Sequence, residues 1–332
     1  MDELKRKPIV ILGSGRSGTT WVQDVIARQG FRPVFEPLHP NVDSRAQKYH
    51  SKYLDETMHC VEMEGFFTSL LAGDISNIWT NYRILPDRIL PNRLTLSTFK
   101  AANELRRRYL ELWNNYKIYK PLLNNAKNGL VIKLIRGNLM EPWLAHNFDL
   151  SLLYVVRHPG AIVESKIRLD KNAKKHGLVF GADDWNPKVA IDRYLSDEKL
   201  CEALQPYLTK LDIARLTEIE MHTAVWCIEN ALVLNGSRNK KSHLVFYESM
   251  IANSKDEWDK IWGACERPAP TNDQAVFSPS QQASADFKNA GSIDEKLGRW
   301  MKRFTDEEKR QMDKMLDNFD ISCYRTSNIL SM

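Results

Sequence analysis

A glycine-rich segment near the start of the chain combines residue types that bind anions. Residues 13–21 read Gly-Ser-Gly-Arg-Ser-Gly-Thr-Thr-Trp, so glycines, hydroxyls and one cation, Arg16, lie together. The segment follows a short apolar run at residues 8–12, typical of a buried strand, and leads into a helical pattern over residues 19–29. Backbone N–H groups and the helix dipole attract anions at such a helix N-terminus. The spacing therefore predicts a phosphate-binding loop.

Two other nucleotide-binding loops share part of this pattern. A Walker A loop has the spacing of Gly13 and Gly18 but needs a lysine where this chain has Thr19, which disfavours a kinase or triphosphatase. The G-x-G-x-x-G pattern of dinucleotide sites is also satisfied, and Glu36 follows about 20 residues later. A dinucleotide fold would continue with a third strand soon afterwards, whereas roughly 95 residues follow Phe35 before the next strand-like run. Both readings are therefore weaker alternatives.

With a second segment, the loop resembles the signature of the sulfotransferases that use 3′-phosphoadenylyl sulfate (PAPS). Residues 16–21, Arg-Ser-Gly-Thr-Thr-Trp after a strand, are similar to the family's 5′-phosphosulfate-binding loop. The second family element is an arginine at a strand end with a serine eight residues later in the next helix. Arg157 and Ser165 have that spacing, within Val-Val-Arg-His-Pro-Gly and the helical pattern that follows. The resemblance covers residues 8–170 well and the rest loosely.

The resemblance implies PAPS as cosubstrate and assigns the first loop to its 5′-phosphosulfate. The residues that would cradle this group are Arg16, Ser17, Gly18, Thr19 and Thr20. The family has lysine or arginine at the position of Arg16. Its charge would offset the negative charge that develops on the bridging oxygen as the sulfuryl group leaves.

The resemblance also implies a second anion site, because PAPS carries a 3′-phosphate that ATP lacks. Arg157 would contact this phosphate with its planar fork of donors, and Ser165 would add a hydroxyl. Trp21 would pack beside the adenine, or else serve as a core aromatic residue. A late basic loop of the family corresponds to residues 281–300, with Arg299 as its cation.

The general base differs between branches of this family. Aryl and steroid enzymes place a histidine two residues after a strand lysine, but here Lys133 is followed at that position by Ile135. Carbohydrate and tyrosyl-protein enzymes use a glutamate, and Phe-Glu-Pro-Leu at residues 35–38 resembles the carbohydrate branch. Glu36 is therefore the predicted base for the acceptor hydroxyl, with His39 as a second candidate. Lys133 would contact the transferred sulfonate, or else it would be a lysine at a strand end with no role in catalysis.

The elements around these residues predict an α/β fold. Strand-like runs alternate with helical patterns, and the runs occupy residues 8–12, 31–35, 130–135, 151–156 and 243–246. This alternation predicts a P-loop-like, three-layer fold with a central, mainly parallel sheet flanked by helices. Ligands of such sheets bind at the carboxyl ends of the strands. Two amphipathic helices are expected over residues 188–235.

A single domain is predicted for residues 1–332, because no linker or repeat divides the chain. Its PAPS-binding core would comprise about residues 8–36 and 130–170. Helical insertions over about residues 43–120, with the polar residues 171–187, would form the acceptor side.

The composition narrows the class of protein further. With 43% hydrophobic and 27% charged residues the chain is an ordinary folded protein, and no apolar run approaches the ~18 residues of a membrane span. The start of the chain has no signal-peptide pattern, so we expect a cytoplasmic protein unless an anchor has been lost. A net charge of +5 suits an anionic ligand rather than nucleic acid. Five cysteines and eight scattered histidines without ligand spacing predict no metal.

These observations predict a sulfotransferase. The enzyme would move a sulfonate from PAPS to a hydroxyl of a glycan or a small metabolite by in-line displacement, releasing 3′,5′-ADP. A P-loop nucleotide kinase and a non-catalytic nucleotide-binding protein are the alternatives. The acceptor and the oligomeric state stay open.

Overall fold

The structure, a computed structural model, describes residues 7–75, 80, 129–175, 186–236, 241–270 and 292–328. Much of the predicted helical insertion lies outside these residues, as do residues 176–185 of the polar segment 171–187 and residues 281–291 of the predicted late loop. The described part of the insertion, from residue 43 to residue 75, contains two helices.

A five-stranded sheet forms the centre of the molecule. Its strands are β1 Ile9–Leu12, β2 Arg32–Phe35, β3 Leu130–Leu134, β4 Ser151–Val156 and β5 Ser242–Phe246. They lie in the order β2-β3-β1-β4-β5, and each neighbouring pair is parallel. The α/β prediction is confirmed, with a described sheet that is parallel throughout. Leu12 lies opposite both Leu134 and Tyr154, so the three central strands end at one edge.

Helices cover both faces of this sheet. Those that the structure describes are α1 Thr19–Ala27, α2 Ser44–Tyr49, α3 Val61–Ala72, α4 Glu141–Asn147, α5 Pro159–Lys175, α6 Pro187–Leu195, α7 Glu198–Ala203, α8 Gln205–Leu208, α9 Glu218–Leu234, α10 Tyr247–Ala252, α11 Ser254–Ala264, α12 Ile293–Gly298 and α13 Asp306–Asn318. Short 3₁₀ helices occupy Asn138–Met140, Ile213–Arg215 and Arg299–Arg303. None of the described helices is long and apolar enough to cross a membrane.

The two helices expected over residues 188–235 are four, because local signals restart the helix. The Asp197 side chain caps the start of α7, and Pro206 lies in the first turn of α8. Thr217 then begins α9 with a capping box, in which its hydroxyl and the Glu220 carboxylate each accept a backbone N–H of the other residue. The periodicity of apolar residues runs through these breaks and does not reveal them.

Alternate residues of the strands pack into two separate cores. Val10 and Leu12 of β1 face one core, which includes α4 and α9, while Ile9 and Ile11 face the other, which includes α1 and α11. Burial on both faces is expected of a parallel sheet covered by helices. Helix α1, which follows β1, and helix α4, which follows β3, therefore lie on opposite faces of the sheet. Where the connections from two neighbouring strands leave toward opposite faces, a crevice opens at the carboxyl ends of those strands.

Helix α1 is fixed to the sheet by a buried polar side chain. The amide nitrogen Nε2 of Gln23 donates hydrogen bonds to the carbonyl oxygens of Val34 (2.9 Å) and Val131 (3.0 Å). These contacts join α1 to β2 and β3. The N-terminus of α1 is thereby held at the edge where the strands end.

Candidate active site

Two glycines let the loop between β1 and α1 pass close to its neighbours. Gly13 has φ +147°, and a Cβ there would lie 2.3 Å from the carbonyl oxygen of Val155 in β4. Gly18 has φ +99°, and a Cβ there would lie 2.4 Å from the ring of Tyr247. Glycine is therefore required at both positions by backbone conformation and by space. The loop is pressed between the end of β4 and the start of α10.

The rest of the loop is held in one conformation by hydrogen bonds. The N–H of Ser17 donates to the carbonyl of Ser14 (3.1 Å), and the amide of Asn230 in α9 donates to the Ser14 hydroxyl (2.9 Å). Arg16 has φ +76°, a left-handed conformation that costs energy for a residue with a side chain. Gly18 provides no side-chain cap for α1, so the first N–H groups of this helix suit an anion.

The structure joins the two sequence segments that were predicted to bind PAPS. Nε of Arg16 donates to the hydroxyl of Ser165 (3.0 Å), and Nη1 of Arg157 donates to the carbonyl of Arg16 (3.2 Å). The guanidinium of Arg157 also lies over the ring of Tyr247, 4.4 Å from its centre. These contacts form because β1 and β4 are neighbours in the sheet.

Neither of the two arginines is held in an ion pair with a described residue. Burial, together with the positive charges of Arg157 and Arg168, lowers the pKa of Arg16 to about 10, although the carboxylate of Glu164 acts in the opposite direction. Within the described stretches, neither Arg16 nor Arg157 forms a salt bridge, and buried Ser17 Oγ and Arg157 Nε make no hydrogen bond. Buried donors and charges are normally satisfied. An anionic nucleotide with more than one phosphate-like group fits this set of donors.

Thr19 and Thr20 form the first turn of α1, and both are buried. The hydroxyl of Thr20 accepts a hydrogen bond from the Lys133 ammonium (3.4 Å). Lys133 belongs to β3, so this contact joins the loop between β1 and α1 to the neighbouring strand.

Trp21 lies in the core beside the loop. Its ring meets the rings of Tyr247 and Trp258 edge to face, with centroids 5.8 and 5.7 Å apart. Only 7% of the residue is exposed. The packing accounts for a tryptophan at this position, and its role beside an adenine stays a prediction.

Glu36, the predicted base, lies in a buried cluster of three charges. Its Oε1 is 2.9 Å from the ammonium of Lys133 and accepts the N–H of Ile135 (3.2 Å). Its Oε2 is 3.0 Å from Nη1 of Arg136. Glu36 is 2% exposed and has φ +45°. The cluster joins the ends of β2 and β3 and carries two positive charges against one negative charge.

Lys133 links this cluster to the glycine-rich loop between β1 and α1. Its ammonium lies between the carboxylate of Glu36 and the hydroxyl of Thr20. It also lies 3.8 Å from the centre of the Phe35 ring, a cation–π contact. Lys133 therefore lies between the loop and Glu36, and its role toward the sulfonate stays a prediction. The sequence prediction named Lys133. It did not include Arg136, which no motif or spacing distinguishes from the other basic residues.

His39 follows Glu36 in a turn. Its N–H donates to the carbonyl of Glu36 (3.0 Å), and its Nδ1 accepts the N–H of Asn41 (3.2 Å). The ring is partly exposed. These contacts give His39 a part in the turn, and its role as an alternative base stays a prediction.

The residue after Arg157 is a neutral, fully bonded histidine. The N–H of Gly160 donates to Nδ1 of His158 (3.0 Å), so Nε2 carries the proton and donates to the carbonyl of Arg325 (2.9 Å). Burial lowers the pKa of His158 to about 4. Its backbone N–H donates to the Glu248 carboxylate (2.9 Å). The turn after β4 is thereby fixed to the end of the chain.

Two further contacts, which the sequence did not predict, complete this attachment. The hydroxyl of Tyr324 donates to the second oxygen of Glu248 (2.8 Å), and burial raises the pKa of this carboxyl. The ring of Trp300 stacks on His158 with centroids 4.3 Å apart. Arg299 directly precedes Trp300, half-buried at the start of a 3₁₀ helix. Its role toward a phosphate stays a prediction.

The charged groups at this edge of the sheet are mainly cationic. They are Arg16, Lys133, Arg136 and Arg157, with Glu36 and Glu248 among them. The described part of the chain holds no group of three or more His, Cys, Asp or Glu side chains that could bind a metal ion. The arrangement can therefore hold anions and accept a proton beside them.

Three solved structures align with nearly the whole chain at low identity. They are the sulfotransferase domain of the Synechococcus PCC 7002 olefin synthase (17% identity, TM-score 0.45, 97% of this chain and 98% of that chain), the sulfotransferase domain from the curacin biosynthetic pathway (15%, 0.45, 97% and 99%) and the sulfotransferase STF9 from Mycobacterium avium (13%, 0.38, 96% and 78%). No protein-family model and no curated protein matches the chain. Likeness at this distance carries no argument about function, which therefore rests on the site.

Proposed function

We propose that this protein is a PAPS-dependent sulfotransferase. It transfers a sulfonate from PAPS to an acceptor hydroxyl and releases 3′,5′-ADP. The observation that carries the proposal is the pair of partly buried arginines, Arg16 and Arg157. Arg157 donates to the carbonyl of Arg16, Arg16 donates to the hydroxyl of Ser165, and neither arginine forms a salt bridge within the described residues. A nucleotide with separate 5′ and 3′ anionic groups would balance both charges.

This pairing favours PAPS over a nucleoside triphosphate. Thr19 replaces the lysine that bridges the β- and γ-phosphates in Walker A loops. The second cation, Arg157, comes instead from the neighbouring strand β4. A cation there suits a nucleotide that carries an additional phosphate on its ribose.

The residues of the loop would hold the 5′-phosphosulfate of PAPS. The hydroxyls of Ser17 and Thr20 and the N–H groups at the start of α1 supply hydrogen-bond donors. Arg16 offsets negative charge on the oxygen that leaves the sulfur atom, and Lys133 offsets charge on the sulfonate. Preorganised charges of this kind cost no rearrangement during the reaction.

Glu36 would act as the general base. The acceptor oxygen forms a bond to sulfur while the bond from sulfur to the phosphate oxygen breaks, and its electron pair stays on that oxygen of 3′,5′-ADP. The acceptor proton passes to the Glu36 carboxylate. Lys133 supports this assignment because its ammonium contacts both Thr20 and Glu36. The loop that would hold PAPS and the predicted base therefore lie close together.

Two classes of acceptor carry a hydroxyl that this reaction could use. Residues 35–38 resemble the carbohydrate branch, which favours a hydroxyl of a sugar or glycan. A small hydroxylated metabolite is the other acceptor class. Residues around α2 and α3, which follow Glu36 in the chain, are candidates for acceptor contacts.

Sulfonate transfer can be tested with PAPS that carries radioactive sulfur. We would incubate the protein with a panel of glycans and small hydroxylated compounds, with a chelator present and with Mg²⁺ present. We expect label to move to at least one acceptor, with one 3′,5′-ADP formed for each transfer and no need for Mg²⁺. Phosphoryl transfer from Mg-ATP to the same acceptors, without transfer from PAPS, would contradict the proposal.

A further inference from the structure

Two cations bind one carboxylate at the centre of the site. Lys133 contacts Oε1 of Glu36 at 2.9 Å, and Arg136 contacts Oε2 at 3.0 Å. Each oxygen of the Glu36 carboxylate therefore has its own cation. Charged groups lose hydration when they are buried, and the contacts with Glu36 offset part of that cost for both cations. Arg136 is 8% exposed.

The two cations differ in what else they touch. The ammonium of Lys133 also reaches the hydroxyl of Thr20 in the anion-binding loop (3.4 Å). A sulfonate held by that loop would therefore compete with Glu36 for Lys133. Arg136 contacts the opposite oxygen of the carboxylate, so its bond to Glu36 can persist while Lys133 serves the sulfonate.

The backbone of Arg136 is anchored independently of its side chain. Its carbonyl accepts the N–H of Ser51 at 2.7 Å. The next residue, Gly137, lies so close to Leu38 that a Cβ would approach its side chain to 3.0 Å. The turn carrying Arg136 is thus packed against the turn that follows Glu36.

Two residues that bond to Arg136 have a left-handed backbone conformation. In the described stretches, non-glycine residues with positive φ include Glu36 (+45°) and Ser51 (+59°), the residues that bond to the side chain and to the backbone of Arg136. Such conformations persist where surrounding contacts hold them, and they are common at functional sites.

We propose that Arg136 is a positioning residue that holds the Glu36 carboxylate in place while Lys133 neutralises the transferred sulfonate. The role rests on the proposed function, because it acts through the base of that reaction. Arg136 keeps Oε2 fixed, and Glu36 stays directed at the acceptor hydroxyl when the donor is bound. If the base is misplaced, kcat of the enzyme falls while its affinity for the nucleotide stays unchanged.

The test compares Arg136→Ala with Arg136→Lys in the full chain. We expect kcat with PAPS to fall about 100-fold in Arg136→Ala, which is the order of loss for a misplaced reacting group. The Kd of 3′,5′-ADP should stay within about twofold, because this nucleotide lacks the sulfonate for which Glu36 and Lys133 would compete, so the lost interaction serves the transition state. Arg136→Lys keeps a cation near Oε2 and should recover most of the lost kcat. Added guanidinium at a concentration far below that which unfolds the protein should also raise kcat of Arg136→Ala.

Chemical rescue separates positioning from a purely structural role. Guanidinium should not raise kcat of the wild type or of Arg310→Ala, a matched control that removes an exposed arginine paired with Glu307. Thermal unfolding of each variant checks the fold, and Arg136→Lys carries the comparison if Arg136→Ala does not fold. Unchanged kcat in a folded Arg136→Ala, or equal loss of kcat and nucleotide affinity, would overturn the positioning role alone. A wild type that transfers no sulfonate would overturn the proposed function and this role with it.

Discussion

Nε of Arg16 donates a 3.0 Å hydrogen bond to the hydroxyl of Ser165, although the two residues are 149 positions apart in the chain. The bond crosses from the loop after β1 to the helix after β4. It orients a partly buried guanidinium that forms no salt bridge with a residue that the structure describes. The loop after β1 and the helix that carries Ser165 are therefore held together as one preorganised unit.

Replacing Ser165 by alanine tests that unit. Ser165→Ala removes the acceptor of the Arg16 bond and a donor for a bound phosphate. Because hydrogen bonds to charged groups contribute about 1.5–3 kcal/mol, we expect 3′,5′-ADP to bind about tenfold or more weakly. Calorimetric titration measures the change. Ser196→Ala, at an exposed serine bonded to the carbonyl of Arg193, is the control and should bind as wild type does.

The loop glycines differ in their tolerance of a side chain. Gly18→Ala adds a Cβ 2.4 Å from the ring of Tyr247 at φ +99°, whereas Gly15→Ala meets only the end of the Ile135 side chain at 3.8 Å. Gly18→Ala should lose about 1–3 kcal/mol of stability from backbone strain alone. Its Tm should fall with its affinity for 3′,5′-ADP, and Gly15→Ala should resemble wild type in Tm. Equal Tm values for the two variants would contradict this expectation, because they would show that the loop rearranges to accommodate a side chain at residue 18.

Glu36→Gln keeps the shape of the side chain and removes its charge. A lost general base costs about 100-fold or more in kcat. Binding of 3′,5′-ADP should hardly change, because the Arg16 and Arg157 site is intact. His39→Gln, measured in parallel, should retain most of the activity. A large loss of kcat in His39→Gln, with little loss in Glu36→Gln, would instead identify His39 as the base.

His158 should make the fold sensitive to acid. Its pKa in the folded protein is about 4, below the ordinary 6.5, so the unfolded chain takes up a proton first as the pH falls. Its contribution is complete above about pH 6.5 and is lost progressively toward about pH 4. From about pH 7.5 to about pH 5, the wild type should lose about 2 kcal/mol more stability than His158→Gln. Urea unfolding at both pH values measures this difference, and parallel losses would refute it.

The sequence predicts the sheet and the loop well because both depend on local signals. Short apolar runs such as Ser151–Val156 fit a buried strand, and Gly13 and Gly18 are required by conformations that only glycine adopts easily. The order of the strands is not local. The family resemblance assigned Arg16 and Ser165 to two different groups of one nucleotide, and the direct hydrogen bond between them is seen only in the structure.

The residues that the sequence does not reveal act through long-range contacts. Arg136 is one of 47 basic residues, and only its meeting with Glu36 across two turns distinguishes it. Glu248 and Tyr324 likewise meet only when the end of the chain returns to β4. Trp21 shows the converse, since a residue in a family motif packs into the core beside Tyr247. Motifs report local chemistry, whereas burial and partners depend on the whole fold.

The central claim is that the site binds a nucleotide with a 3′-phosphate, and calorimetric titration tests it most directly. We would titrate wild type, Arg157→Ala and the exposed control Arg310→Ala with 3′,5′-ADP, 5′-ADP and ATP, each with and without Mg²⁺. The account predicts metal-independent binding of 3′,5′-ADP that weakens at least about tenfold in Arg157→Ala only. A preference for Mg-ATP that is indifferent to Arg157 would contradict the sulfotransferase assignment and support a nucleotide kinase.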